Sequence, residues 1–286
     1  MKLIIEPADG VAPVVRAIDR AKKFIDIMIF RFDRVEVEKA LKAAVTRGVK
    51  VRALIAHTNK GGDKTLRKLE MRLLECGATV ARTADDLTRY HGKMMVIDNR
   101  SLHVYGFNYT KLDIDKSRSF GIVTRDTRLV AEAMHLFESD ALRKNYEANH
   151  ARLVVSPETS RPLLTAFVKG ARKQLLIYDA QVSDNAIQKV LADRAADGVE
   201  IRIIGALEKD IRSVKVRRLS PLRLHVRAIM RDGCEAFIGS QSLRKLELEG
   251  RREVGIIVKN TAIVRKMIAT FESDWKASGK KVAKAS

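Results

Sequence analysis

Two segments of the chain carry ionisable side chains in the same order, and that order suits attack on phosphorus. The first segment has His91, Lys93 and Asp98, and the second has His225, Arg227 and Asp232. In a strand, residues i and i+2 face the same side, so each imidazole is expected to share a pocket with a cation. An imidazole, whose unperturbed pKa is about 6.5, can act as nucleophile or acid near neutral pH. A fixed cation stabilises charge on phosphate oxygens. The two segments therefore predict phosphodiester chemistry.

Each segment is expected to continue into a hairpin that returns a side-chain amide to the histidine. Turn sequences begin at Asp98 and at Asp232, and the strands that follow contain Gly-Phe-Asn at 106–108 and Gly-Ser-Gln-Ser at 239–242. Each half thus offers a histidine, a cation and a side-chain amide, which is Asn108 in the first half and Gln241, next to Ser240, in the second. One such pattern could arise by chance in a basic chain, but two at equivalent places of a repeat are stronger evidence.

The repeat itself is visible in the sequence. Residues 21–51 lie over residues 171–201 without a gap, at an offset of 150. The identical pairs are Ala21/Ala171, Lys23/Lys173, Ile27/Ile177, Lys39/Lys189, Leu41/Leu191, Gly48/Gly198 and Val49/Val199. Both copies predict an amphipathic helix, a short apolar strand, a second helix that ends at Gly48 or Gly198, and another strand. Strands that alternate with helices indicate βαβ units and an α/β fold.

We divide the chain into an N-terminal half, 1–149, and a C-terminal half, 150–286, which ends in a basic tail. The first helices are predicted at 13–23 and 162–173, and the closing helices at 127–145 and 261–278. An additional helix at 63–76 is predicted in the first half alone, because its leucines recur with helical spacing. The missing helix and its flank account for the shorter distance to the histidine in the second half.

Composition and charge limit the class of protein. The 286 residues include 55 Lys and Arg against 35 Asp and Glu, which gives a net charge of +20, and 46% are hydrophobic. Disorder is excluded by this apolar fraction, and no stretch is long and apolar enough to span a membrane. The two cysteines form no disulfide framework or zinc pattern. We expect a cytoplasmic protein whose partner is anionic, and such a protein could bind peripherally to the inner membrane face.

The duplicated pattern resembles the phospholipase D superfamily, whose signature is H-x-K-x4-D followed by a G-S-x-N-like segment, present twice per active unit. The resemblance covers essentially the whole chain. It implies two pseudo-twofold-related βαβ halves, with mixed sheets flanked by helices, that form one site in a monomer without metal or cofactor. It also implies that one histidine forms a phosphohistidine, while the other protonates the leaving oxygen and later activates water or an alcohol. By the same resemblance, the two cations hold the phosphate oxygens, and the residues that bind or support the phosphate are Asn108, Gln241, Ser240, Asp98 and Asp232.

The chain departs from this signature at several positions. Arg227 stands where the family has Lys, Gln241 replaces the second Asn, and Phe107 replaces the first Ser. The family's acidic residue, about 28 positions after the histidine, is Glu253 in the second half, but the same count from His91 reaches Ser119. We therefore expect an asymmetric site. In the resembling enzymes this acid orients the histidine of the other half, so Glu253 would orient His91 as nucleophile and leave His225 as general acid.

Three functions remain open from the sequence. A duplicated motif in one chain resembles bacterial phospholipid enzymes, which favours a phospholipase D or cardiolipin-synthase-like activity, by hydrolysis or phosphatidyl transfer. A nuclease that cuts DNA or RNA would suit the charge and the basic run before the second motif, and its binding would weaken with salt. A catalytically degenerate polyanion-binding module would follow if Arg227, Gln241 and Ser119 had silenced the site.

Overall fold

The computed structural model describes residues 1–58, 62–220 and 222–280, and it confirms the mixed α/β fold with two similar halves. The elements of the first half are β1 (Lys2–Glu6), α1 (Ala12–Asp19), β2 (Phe24–Met28), α2 (Val35–Thr46), β3 (Lys50–Ile55), α3 (Gly62–Glu75), β4 (Thr79–Arg82), β5 (Arg89–Tyr90), β6 (Met94–Ile97), β7 (Ser101–Tyr105), α4 (Lys111–Asp115), β8 (Ser117–Thr124) and α5 (Thr127–Ala141). Those of the second half are β9 (Leu153–Ser156), α6 (Ser160–Lys169), β10 (Gln174–Val182), α7 (Asn185–Ala196), β11 (Glu200–Leu207), β12 (Val214–Arg218), β13 (Arg223–Leu224), β14 (Arg227–Arg231), β15 (Glu235–Gly239), α8 (Lys245–Glu249), β16 (Arg251–Val258), α9 (Thr261–Ala277) and β17 (Gly279–Lys280).

Each half is built around one mixed sheet. The first has the order β1-β8-β7-β6-β2-β3-β4, and the second has the order β17-β12-β11-β10-β14-β15-β16-β5. The strands β2, β3 and β4 are parallel, as are β10, β11 and β12, whereas β6 to β8 and β14 to β16 form antiparallel hairpins. The basic tail was expected to fray, but its first two residues form β17, which pairs with β12. Residues 281–286 lie outside the described part.

Equivalent helices of the two halves end in the same way. Gly48 and Gly198 adopt φ values of +83° and +84° just after the C-caps of α2 and α7, as predicted, because glycine tolerates the left-handed conformation there. The helices α1 and α6 end four residues earlier than predicted. The side chains of Asp98 and Asp232 accept hydrogen bonds from the backbone amides of 22–24 and 172–174, which holds these residues in a turn before the strand.

Among the described residues, the apolar core has three large parts and one small cluster of Phe30, Ala56 and Tyr90. One cluster lies within each half, and a third is shared by the two halves, where α5 and α9 pack between the sheets. The predicted extra helix is present as α3, and it buries Leu66, Leu69 and Leu73 in the core of the first half. In the described residues, no helix combines the length and apolarity that crossing a bilayer requires.

The two halves exchange strands at their interface. The short strand β5 of the first half pairs with β16, and β13 of the second half pairs with β8. Two arginine–aspartate pairs also cross the interface: Arg118 binds Asp274 through two hydrogen bonds of 2.7 and 2.9 Å, and Arg252 donates to Asp140 at 3.0 Å. These contacts relate the halves by pseudo-twofold symmetry and hold them in a fixed register.

Candidate active site

The strand exchange places His91 against the other half. The His91 backbone amide donates to the carbonyl of Arg252 at 2.7 Å, directly beyond the β5–β16 pair. Its Nδ1 lies 3.0 and 2.9 Å from the two carboxylate oxygens of Glu253, which is fully buried. A carboxylate accepts the Nδ1 proton, so the lone pair of the imidazole lies on Nε2, the nitrogen that can attack a ligand. The structure thus brings together the two residues that the sequence argument paired.

Lys93 lies beside the same imidazole. Its Nζ donates to the His91 carbonyl at 2.6 Å and is 3.0 Å from His91 Nε2. The whole lysine is 0% exposed, an unusual environment for an ammonium group. The sequence argument placed His91 and Lys93 on one strand, whereas both precede the first residue of β6. They lie in the connection between β5 and β6.

Burial controls the protonation of this cluster. Desolvation lowers the pKa of His91 to about 4, although the charge of Glu253 opposes the shift. Desolvation also lowers the pKa of Lys93 to about 7, against the attraction of Glu253 and Asp113. Burial disfavours the ionised form of Glu253, but His91 and Lys93 outweigh this and hold its pKa below the usual value. At neutral pH the site contains a neutral imidazole, an ionised carboxylate and a lysine near its midpoint.

The second half repeats the arrangement with different residues. The His225 amide donates to the carbonyl of Arg118, and the Nη1 of Arg227 donates to the His225 carbonyl at 2.5 Å, as Lys93 does to that of His91. The Nε2 of His225 lies 3.6 Å from Asp113 Oδ2. Burial lowers the pKa of His225 well below its usual value, and the nearby cations, Arg227 and Lys93 among them, lower it further, against the charge of Asp113.

Asp113 is a site residue that the sequence argument missed. It lies in α4, accepts hydrogen bonds from the backbone amide and the side-chain amide of Asn108, and pairs with Arg223 at 2.7 Å. The sequence of α4, Lys-Leu-Asp-Ile-Asp, matches that of α8, Lys-Leu-Glu-Leu-Glu. Asp113 and Glu247 each follow the histidine of their own half by 22 residues. That repeated pattern was the available signal.

Ser119 occupies the position equivalent to Glu253, as the sequence predicted. It is fully buried, and its hydroxyl has no hydrogen-bond partner among the described residues. Because Asp113 approaches His225 from α4, both histidines have a carboxylate nearby. The expected asymmetry therefore lies in the origin of the two carboxylates and in the two cations.

The structure corrects the role assigned to Gln241. In the first half, the amides of Asp33 and Arg34 donate to the carbonyl of Tyr109, and the amides of Ser183 and Asp184 donate to that of Leu243 in the second. This register makes Ser242, and not Gln241, the counterpart of Asn108. Gln241 is buried and donates to the Val154 carbonyl and the Ser160 hydroxyl. It therefore supports the interior of the second half and does not face the histidines.

Ser242 and Asn108 each hold a buried acid. The Asn108 amide donates to Asp113 at 2.7 Å, while its Oδ1 accepts from the backbone of Arg31. The Ser242 hydroxyl donates to Asp179, an acid that the sequence argument did not select. Burial raises the pKa of Asp179, against the lowering effect of Arg227. Asn108 and Ser242 thus position charged groups around the site.

The remaining predicted residues fall into two places. The Ser240 hydroxyl bonds to the backbone of Val254 and helps to lower the pKa of Glu253, so it lies beside the His91 cluster. Asp98 and Asp232 lie at the opposite ends of β6 and β14, roughly 15 Å along the strand from the cations. Their carboxylates bind backbone amides, so they support the fold and do not contact the phosphate site.

The charges of the two clusters act on each other. The charge of Arg227 lowers the pKa of His91, and that of Lys93 lowers the pKa of His225, so each cation acts on both imidazoles. Cleavage of a phosphodiester requires a nucleophile, stabilisation of the negative charge and a proton for the leaving group. Together, the two imidazoles, two cations and two carboxylates can supply these. Within 1–58, 62–220 and 222–280, His, Cys, Asp and Glu form no cluster of three or more that could hold a metal ion.

Residues 14–141 match the family described as "Cardiolipin synthase, PLD-like domain". Minor cardiolipin synthase ClsB of Bacillus subtilis (strain 168) is 23% identical over 226 residues, which cover 66% of this chain and 57% of that protein. Among solved structures, polyphosphate kinase from Porphyromonas gingivalis matches with a TM-score of 0.79 and 21% identity, over 96% of this chain and 47% of that chain. Phosphatidylserine synthase from Haemophilus influenzae Rd KW20 matches with a TM-score of 0.72 and 10% identity, over 98% of this chain and 87% of that chain.

The chain spans 57% of the length of this curated relative. Both structural likenesses lie below 25% identity, and they show the fold that these proteins share.

Proposed function

Because the chain belongs to the phospholipase D superfamily, we propose that it is a phosphodiesterase that acts on phospholipids, by hydrolysis or phosphatidyl transfer, through a phosphohistidine. The observation that carries the proposal is the contact of Glu253 with His91, beside Lys93 and within the electrostatic influence of Arg227 from the second motif. This geometry supplies a nucleophile, an acid and fixed positive charge in one site assembled from both halves.

His91 is the proposed nucleophile. Its pKa near 4 leaves the imidazole neutral at pH 7, and Glu253 holds the proton on Nδ1. The Nε2 lone pair attacks phosphorus, the bond from phosphorus to the leaving oxygen breaks, and that oxygen takes a proton from His225. Water or an alcohol then attacks phosphorus, His225 accepts its proton, and the electron pair of the phosphorus–nitrogen bond returns to His91.

His225 must carry a proton in the first step, although its pKa in the free protein is well below the usual value. A bound phosphodiester contributes a negative charge between Lys93 and Arg227, which offsets the cations that help to depress this pKa. Substrate binding therefore raises the pKa of His225, so that its imidazole is protonated when the leaving oxygen requires a proton. Lys93 and Arg227 hold the phosphate oxygens, so we propose that the reaction needs no metal ion.

The phospholipid substrate is supported by the curated relative, a minor cardiolipin synthase, and by the fold shared with a phosphatidylserine synthase. The test compares phosphatidylglycerol vesicles with single- and double-stranded DNA, in EDTA, for wild type and His91→Ala. A His91-dependent lipid product is expected. Degradation of DNA with intact lipid would instead favour the nuclease, and binding without turnover of either would favour the degenerate module.

The roles of the two histidines can be distinguished with bis(p-nitrophenyl) phosphate, a diester whose leaving group needs no acid. His225→Ala is expected to release about one equivalent of nitrophenol and then stall, because the phosphoenzyme forms but its hydrolysis lacks a base. His91→Ala is expected to release none. Phosphoenzyme trapped in alkaline denaturant, where the phosphorus–nitrogen bond survives, should carry its phosphate on His91, and phosphate found on His225 would reverse the assignment.

A further inference from the structure

Two exposed leucines flank the site at equivalent places. Leu112 in α4 is 50% exposed and Leu246 in α8 is 41% exposed. The other large apolar side chains exposed in the described residues are Met1, Phe24, Val35, Met71, Leu74 and Leu142. None of these six has an apolar counterpart in the other half, so Leu112 and Leu246 are the symmetric pair. Single exposed leucines are ordinary, but a pair related by the symmetry axis of an active site calls for a reason.

Each leucine is adjacent in sequence to an acid that turns inward. Asp113 is buried beside His225, and Glu247 is buried and paired with Arg251, which in turn reaches Glu253 at 3.9 Å. The side chains of consecutive helix residues point about 100° apart. Because the acid points into the protein beside the site, the preceding leucine points outward, at the rim of the site. The rim of the site therefore has an apolar side chain on both sides.

A lysine precedes each leucine. Lys111 and Lys245 are exposed, and neither forms an ion pair with a residue in the described ranges. Unpaired lysines beside leucines fit a surface that is anionic at its face and apolar beneath, which is the chemistry of an anionic phospholipid bilayer. In the first half, the side chain of Arg34, just before α2, donates to Asp115 of α4. This contact brings the exposed Val35 close to α4.

We infer a membrane-contact rim that is formed by Lys111, Leu112, Lys245 and Leu246. This rim holds the site against an anionic phospholipid surface, and one histidine lies beneath each side of the rim. This inference rests on the proposed phospholipid function and adds the surface by which the substrate is met. Insertion of both leucines places the pseudo-twofold axis normal to the bilayer, so a headgroup enters the site along that axis.

The test uses the double variant Leu112→Ser/Leu246→Ser and a control, Leu74→Ser/Leu142→Ser, which removes two exposed leucines that have no repeat partner. Co-sedimentation with vesicles of phosphatidylglycerol and phosphatidylcholine is expected to fall about tenfold for the rim variant and to stay within twofold of wild type for the control. Lys111→Gln/Lys245→Gln should lower binding to anionic vesicles by about five-fold for each lysine and have little effect on neutral ones.

Turnover distinguishes this inference from the proposed function. The rim variant should lose activity on vesicles while it keeps activity on bis(p-nitrophenyl) phosphate, because the histidines and cations are unchanged. Equal vesicle binding by the rim variant and wild type, or an equal loss in the control, would overturn the rim. Wild type that binds vesicles through the rim but hydrolyses no phospholipid, even as short-chain monomers, would overturn the proposed substrate and leave the rim standing.

Discussion

Replacement of Glu253 by glutamine is the sharpest test of the cross-half site. Glu253 is fully buried, contacts His91 Nδ1 at 2.9 Å and attracts the buried Lys93. Glutamine keeps the size and an acceptor oxygen, but it removes the negative charge. The change therefore isolates the electrostatic part of the contact from its shape.

The expected loss follows from the type of hydrogen bond. A buried hydrogen bond to a charged group contributes about 1.5–3 kcal/mol. At about 1.4 kcal/mol per factor of ten, kcat/KM should fall roughly 10- to 150-fold. A second effect concerns Lys93: without the attraction of Glu253, its pKa should fall below the wild-type value of about 7. The alkaline limb of the pH profile should therefore move to lower pH.

The assay is kcat/KM for bis(p-nitrophenyl) phosphate against pH, in EDTA, with urea unfolding to show that the variant is folded. Glu247→Gln is the matched control, because Glu247 is a buried glutamate of the same half that pairs with Arg244 and Arg251 and contacts neither histidine. The control should change kcat/KM by less than threefold. A Glu253→Gln enzyme within twofold of wild type, with the same alkaline limb, would refute the role of this carboxylate.

Four further predictions concern other parts of the molecule. Asp113→Asn should lower the phospholipid turnover, which needs His225 as acid, by about tenfold more than it lowers the burst rate of nitrophenol release, which needs no acid, as stopped-flow and steady-state rates will show. Ser119→Glu should not raise activity, because Asp113 already supplies a carboxylate at His225; a gain in kcat would contradict this. The free energy of unfolding of wild type should rise by about 3.5 kcal/mol between pH 7 and 10 relative to Lys93→Met, because the folded-state pKa of Lys93 is below the unfolded value and the penalty for its buried charge disappears as pH rises; parallel urea-unfolding profiles would contradict this. Asp140→Ala should cost about 1.5–3 kcal/mol of unfolding free energy, since Arg252 loses one buried carboxylate partner but keeps Glu158, and calorimetry checks it.

The fold followed from the sequence because the signal was repeated. Helical and strand periodicities occurred twice at one offset, and the extra leucine-rich helix of the first half fell where α3 lies. The proximity of Glu253 to His91 was also accessible, since the resemblance supplied both the spacing and the cross-half partner. These inferences depended on the local sequence pattern and on spacing along the chain, and both are the same before and after the chain folds.

Two parts of the site were not accessible in this way. Gln241 was matched to Asn108 through a shared glycine, but the strands align one residue further along, and a slip of one residue turns a side chain to the opposite face. Asp113 reaches His225 from a five-residue helix, whereas the count had pointed to a strand position at Ser119. A carboxylate can serve one histidine from several places in the backbone, so spacing alone could not find it.

The reciprocal strand exchange has a consequence for protein synthesis. His91 and Glu253 are 162 residues apart in the chain, and the backbone that anchors each histidine belongs to the other half. At about 5–20 residues per second, the ribosome completes the first motif roughly 10–30 s before Glu253 has been added. Throughout that interval the nascent chain carries a histidine without its carboxylate partner, its anchoring strand or a second imidazole. The strand exchange thereby delays the onset of reactivity until the second motif and Glu253 have been synthesised.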